Sequence, residues 1–106
     1  MNKINKTANI AIVGLGQIGV YLYNELITKK KDIYNKTGKK INVVAISAKN
    51  KNKRRKFKID KKKFYINPLK IFKEKKIDIL FECIGLSDGI SKKVVETALR
   101  NKINVI

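Results

Sequence analysis

Asn9-Ile10-Ala11-Ile12-Val13-Gly14-Leu15-Gly16-Gln17-Ile18-Gly19 is the stretch from which the architecture can be read. Its first five residues are nearly all apolar and rich in β-branched side chains, which suits a strand buried on both faces. Three glycines follow in G-x-G-x-x-G spacing. Ile18, Leu22, Leu26 and Ile33 then recur at near-helical spacing, with Asn24, Glu25 and Lys29 between them. The expectation is a buried strand, a tight turn and an amphipathic helix running to about Asn35 or Lys36, stopped by Gly38.

Outward from that unit, strand and helix signals alternate. Ile41 to Ser47 is a second apolar run, and Phe64-Tyr65-Ile66 is a short strand candidate. Asn67-Pro68 offers an N-cap and a proline at the first helical position, opening a short helix from Leu69 to about Lys75. Ile77 to Ile84 reads as a fourth strand, with Ser87-Asp88-Gly89 as capping residues for the helix carrying Ile90, Val94, Val95, Ala98 and Leu99. Asn104-Val105-Ile106 begins a fifth strand. Apolar strands alternating with helices specify a parallel sheet covered on both faces, an α/β doubly wound sheet of about five strands in one domain, residues 1–106.

In that frame each glycine has a physical task. Gly14 permits the turn out of the strand. Gly16 lets backbone approach a pyrophosphate, and Gly19 lets the helix lie close to the strand. The N–H groups at the helix start and the positive end of its dipole would face the phosphates. A dinucleotide is therefore the expected ligand, held by Gly14, Leu15, Gly16, Gln17, Ile18 and Gly19. A nicotinamide site that takes NAD usually presents an acid at the end of the second strand, to hold the ribose 2′-OH. Here the strand ends in Ser47-Ala48-Lys49, and no acid occurs between Asp32 and Asp60. Ser47 and Lys49 would bind a 2′-phosphate that a carboxylate would repel, so NADP is expected, with NAD the alternative. The fourth strand ends at the same crevice, which brings the backbone of Cys83, Ile84 and Gly85 towards the nicotinamide side. Glu82 reads either as a carboxylate paired with a lysine or as a site residue.

The chain carries 26 Lys and Arg against 8 Asp and Glu, a net charge of +18. Only three of the basic residues are Arg, while Lys, Ile and Asn together make up 51 of 106 residues. That is the signature of AT-rich coding rather than of phosphate recognition, where Arg is the preferred residue. Half of the net charge lies in Lys49 to Lys63, a run read as a solvated connection. With no His and a single Cys, Cys83, the usual zinc sites, His-dependent nucleophile systems and intrachain disulfides are excluded. A reducing, cytoplasmic setting fits, and no apolar run approaches a membrane span.

Three blocks together resemble the homoserine dehydrogenases: Asn9 to Gly19; Gly38 to Lys49, ending in a Ser-Ala-basic step; and Ile77 to Gly85, followed by an Ala-Leu-rich helix and Asn104-Val105-Ile106. The resemblance implies a Rossmann-like cofactor domain of an oxidoreductase. Its reaction would be the NAD(P)-dependent interconversion of L-homoserine and L-aspartate 4-semialdehyde, in threonine and methionine biosynthesis. It also implies that Leu15, Gln17 and Ile18 line the pyrophosphate turn. Lys49 would sit beside the adenosine ribose, and Ile84 and Gly85 near the nicotinamide. Gly85-Leu86 departs from the Gly-Gly of many relatives. By the same resemblance, the catalytic and dimerisation portion of a homo-oligomeric enzyme would follow Ile106, so no catalytic residue is nominated within this stretch. Two other readings are another dehydrogenase or reductase of the same architecture, and a basic nucleic-acid-binding domain using Lys49 to Lys63.

Overall fold

The computed structural model describes residues 7–48, 60–84 and 89–106. Five strands, β1 (Thr7–Val13), β2 (Lys40–Ser47), β3 (Phe64–Tyr65), β4 (Ile79–Glu82) and β5 (Asn104–Val105), form one sheet in the order β3-β2-β1-β4-β5. Every pairing is parallel. The chain winds from β1 outward through β2 to β3, then crosses over to β4 on the other side of β1. The strand order therefore reverses between β1 and β4, and in open parallel sheets the crevice at such a reversal is where ligands bind.

Among the described residues there are four α-helices, α1 (Gln17–Thr28), α2 (Lys30–Thr37), α3 (Ile71–Glu74) and α4 (Gly89–Arg100), of which α1, α3 and α4 pack on the sheet. On one face, Ile10, Ile12, Leu15, Val43, Ile46 and Ala48 pack with Val20, Leu22, Tyr23 and Leu26 from α1. On the other face, Ala11, Val13, Ala45 and Leu80 pack with Ile71 of α3 and Val94 and Ala98 of α4. Burial on both sides is why the later part of β1, Ile10 to Val13, reads as an unbroken apolar run. At the start of the sheet, the Asn9 N–H donates to Asp78 Oδ2 at 2.7 Å and the Asp78 N–H donates to the Asn9 carbonyl at 2.8 Å, which pins β1 to β4.

β2 carries an irregularity that its sequence does not announce. Ile10 pairs with Val43, but Ala11 pairs with Ala45, which leaves Val44 as an extra residue. A bulge of this kind exchanges the two faces of the strand beyond it. Val43 and Ile46, three residues apart, accordingly share the α1 face.

The single helix expected after the glycine turn is two. α1 stops at Thr28, Lys29 leaves helical geometry (φ −102°, ψ 12°), and α2 resumes at Lys30. Thr28 Oγ1 donates back to the Asn24 carbonyl at 2.9 Å, an interaction that bends helices, and three lysines follow in succession. Gly38 ends α2 in the left-handed region (φ 77°), its N–H donating to the Tyr34 carbonyl at 2.8 Å. Ile18 does not belong to the apolar stripe, since it is 74% exposed; Leu22, Tyr23 and Leu26 form the packed side instead.

Asn67 caps as its sequence suggests, with Oδ1 accepting from the Leu69 N–H at 3.0 Å, but the first turn, Pro68–Lys70, is a 3-10 turn that passes into α3. β4 is shorter than its apolar run and stops at Glu82. Of the basic run, Lys61–Lys63 form a 3-10 turn capped by Asp60. Residues 49–59 and the capping residues at 87 and 88 lie outside the described residues.

Candidate functional site

The C-terminal ends of β1, β2 and β4 converge on Gly14. Its N–H donates to the Ser47 carbonyl at 2.7 Å, while the Cys83 N–H donates to the Val13 carbonyl at 2.7 Å. Gly14 adopts φ 101°, a conformation strained for any residue with a side chain. There is also no room for one: a Cβ would stand 2.7 Å from the Cys83 carbonyl carbon and 2.9 Å from the Ile84 nitrogen. Gly19 is constrained from above, because a Cβ there would run into the Gly14 carbonyl oxygen. This close approach brings the first turn of α1 down onto the end of β1.

Gly16 differs from both. Among the described residues, apart from its two chain neighbours, none has a heavy atom within 4 Å of the position its Cβ would take, and it is the N-cap of α1 with extended backbone (φ −76°, ψ −161°). The first helical bond runs from the Val20 N–H to the Gly16 carbonyl at 3.0 Å. By helix geometry the N–H groups of Gln17, Ile18 and Gly19 then have no intrahelical acceptor. Among the described residues no side chain caps them, and no acidic residue lies in the first turn. The result, among the described residues, is a helix mouth with a side-chain-free glycine at its entrance, edged by backbone donors at the positive end of a helix dipole. A pyrophosphate fits these features on both space and charge.

The other sequence-predicted residues divide by what they expose. Leu15 is 5% exposed, with its side chain in the core beneath the turn, so only its backbone faces the mouth. Gln17 and Ile18 stand in solvent beside it. Ser47 is 2% exposed and Ala48 is buried, its N–H donating to the Tyr65 carbonyl at 3.3 Å. Cys83 and Ile84 lie against Gly14, partly buried. Burial, and then the charge of Glu82, push the Cys83 thiol above its ordinary value. Lys49 and Gly85 lie outside the described residues.

Two acids, one at the crevice and one ahead of β3, are engaged with backbone. Glu82 Oε2 accepts from the Ile84 N–H at 2.8 Å, a contact that sequence reading left between a lysine pair and a site role. Asp60 Oδ1 accepts from the Lys62 N–H at 3.0 Å. Asp60 also lies within electrostatic reach of α1, where burial first and its charge second raise the Tyr23 phenol. Among the described residues no group of three or more His, Cys, Asp or Glu could hold a metal, and no helix is long and apolar enough to cross a membrane.

A parallel sheet that reverses at β1, with an uncapped helix mouth over a glycine turn at the reversal, defines a dinucleotide-binding domain. Residues 8–106 match the model of the oxidoreductase family with an NAD-binding Rossmann fold, and the chain belongs to that family. Among solved structures it is similar to S. aureus homoserine dehydrogenase at pH 7.5, with 27% identity and a TM-score of 0.84 over 94% of this chain and 26% of that one. The same enzyme at pH 7.0 gives 26% identity and a TM-score of 0.83, over 93% and 25%. The fold is shared with a homoserine dehydrogenase from Thiobacillus denitrificans, at 24% identity and a TM-score of 0.77 over 94% and 23%. The chain thus spans about a quarter of the length of these structures. No curated protein matches it.

Proposed function

We propose that this chain is the cofactor-binding portion of an NADP-preferring homoserine dehydrogenase, and that its part in the reaction is to seat and orient the dinucleotide. The observation that carries the reading is that, apart from its chain neighbours, no described residue fills the space at Gly16, at the uncapped mouth of α1. The backbone N–H groups of Gln17, Ile18 and Gly19 would hold the pyrophosphate, and the close packing at Gly14 and Gly19 keeps strand and helix near enough for those donors to converge. Ser47, Ala48 and Lys49 would border the adenosine ribose, and the backbone of Cys83, Ile84 and Gly85 the nicotinamide. When bound, the nicotinamide cofactor supplies hydride transfer; the protein supplies position and electrostatics.

Three blocks of sequence and the similarity to S. aureus homoserine dehydrogenase support the substrate, L-homoserine with L-aspartate 4-semialdehyde, and through it a place in threonine and methionine biosynthesis. The substrate-binding, proton-transfer and homo-oligomerising groups belong, on this reading, to portions of the enzyme that residues 1–106 do not include. A cytoplasmic setting accords with the single cysteine.

Preference for NADP rests on charge. No acid occurs between Asp32, on α2, and Asp60, whose carboxylate caps its own turn, and β2 runs into a lysine-rich segment. With Ser47 buried, Lys49 is the residue best suited to meet a 2′-phosphate. A charge-assisted hydrogen bond is worth about 1.5–3 kcal/mol, roughly ten- to a hundredfold in affinity. Titration of the chain with NADPH and NADH at matched ionic strength, followed by reduced-nicotinamide fluorescence, is expected to show NADPH bound at least about tenfold more tightly. Equal or tighter binding of NADH would overturn the preference.

A further inference from the structure

We infer that Glu82 is a positioning residue for the nicotinamide half of the cofactor, acting through the peptide that joins Cys83 to Ile84. The inference rests on the cofactor reading above and assigns to that site a residue it did not include. Glu82 is the last residue of β4 and pairs with Val13, the last residue of β1. Beyond this pair the chain must leave the sheet at the crevice, where strand pairing no longer dictates its path.

Three contacts fix that path. The Cys83 N–H donates to the Val13 carbonyl at 2.7 Å. The Cys83–Ile84 peptide lies flat against the Cα of Gly14, so closely that a Cβ at Gly14 would meet Cys83 C, Cys83 O and Ile84 N at 2.7–2.9 Å. The third contact closes the turn from the other side, with Glu82 Oε2 accepting from the Ile84 N–H at 2.8 Å. Glu82 is itself tied to the neighbouring strand, its N–H donating to the Ile106 carbonyl at 2.9 Å. The carboxylate is therefore a tether between a strand-fixed residue and the first residue of the turn.

Two consequences follow for a ligand in the crevice. The wall beside Gly14 is held before any ligand arrives, so the ordering cost is not taken from binding. The Ile84 N–H is also already used, so this stretch of wall offers a ligand no amide donor at that position. The pyrophosphate donors, by contrast, lie at Gly16, Gly19 and the start of α1, and the Cys83–Ile84 peptide that Glu82 holds packs on Gly14 rather than on Gly16 or Gly19. Loss of the tether should weaken the nicotinamide end selectively and leave the adenine end intact.

The test measures two probes, NADPH and its adenine half 2′,5′-ADP, against the wild-type chain, Glu82→Met and Glu82→Gln. Methionine keeps the length and bulk of the side chain but removes the acceptor, whereas glutamine retains an acceptor oxygen. Glu82→Met is expected to bind NADPH about tenfold more weakly, the scale of a lost hydrogen bond to a charged group, with 2′,5′-ADP affinity changed less than about twofold. Glu82→Gln should recover most of the NADPH loss. Equal losses for both probes, or no loss for either, would overturn the assignment while leaving the cofactor reading in place. A wild-type chain that binds neither probe would overturn both. Amide hydrogen exchange of Ile84 in the wild-type chain needs no variant: protection is expected, and exchange at the unprotected rate would contradict the tether even if Glu82→Met failed to fold.

Discussion

At the scale of single residues, three glycines in one motif do different physical work, and substitution separates them. Alanine at Gly19 forces a Cβ onto the Gly14 carbonyl oxygen, a backbone atom that cannot swing aside as a side-chain tip would. Alanine at Gly16 meets no described residue beyond its chain neighbours. Overpacking of this kind costs about 1–3 kcal/mol, and an alanine in place of a glycine N-cap costs up to about 1 kcal/mol. Urea unfolding is therefore expected to show Gly19→Ala clearly less stable than Gly16→Ala. The reverse order would mean that α1 does not lie on β1 as described. The glycine spacing was legible in the sequence because glycine is the residue whose absence of a side chain is itself the signal. The role of Leu15 was only half legible: periodicity cannot show that its side chain turns down into the core while its backbone stays at the mouth.

At the scale of elements, the apolar runs announced the strands because both faces of the sheet are covered. Where the sequence misled, local backbone chemistry outweighed hydrophobic spacing. Thr28 and Lys29 break a helix that periodicity carried through, and an extra residue at Val44 resets the faces of β2 without any glycine or proline to mark it. Ile18 follows the helical period and yet points away from the packed side. The end of β4 offers a chemical probe of its own packing. Burial and Glu82 raise the Cys83 thiol, and the thiolate is the reactive form. Alkylation by iodoacetamide should be slow at neutral pH and rise with a midpoint above that of free cysteine. Because the folded thiol holds its proton more tightly than the unfolded one, the folded state loses stability as pH climbs from the ordinary thiol value through the raised one. A midpoint at or below that of free cysteine would place the thiol in a different environment.

At the scale of the whole molecule, a net charge of +18 attracts any polyanion, a dinucleotide included, so binding alone does not establish the site. What separates a built cradle from diffuse attraction is dependence on a single uncharged position. Gly16 carries no charge and, among the described residues, a side chain there would meet nothing beyond its chain neighbours, yet it lies where the phosphates would rest. The most direct measurement is a titration of NADPH against wild type and Gly16→Val at physiological ionic strength, with far-UV circular dichroism recorded on both. Superimposable spectra, saturable binding to wild type, and binding to Gly16→Val weakened beyond detection are expected. Equal affinity for the two chains would show that lysines rather than the glycine turn hold the ligand, and would contradict the proposed cradle.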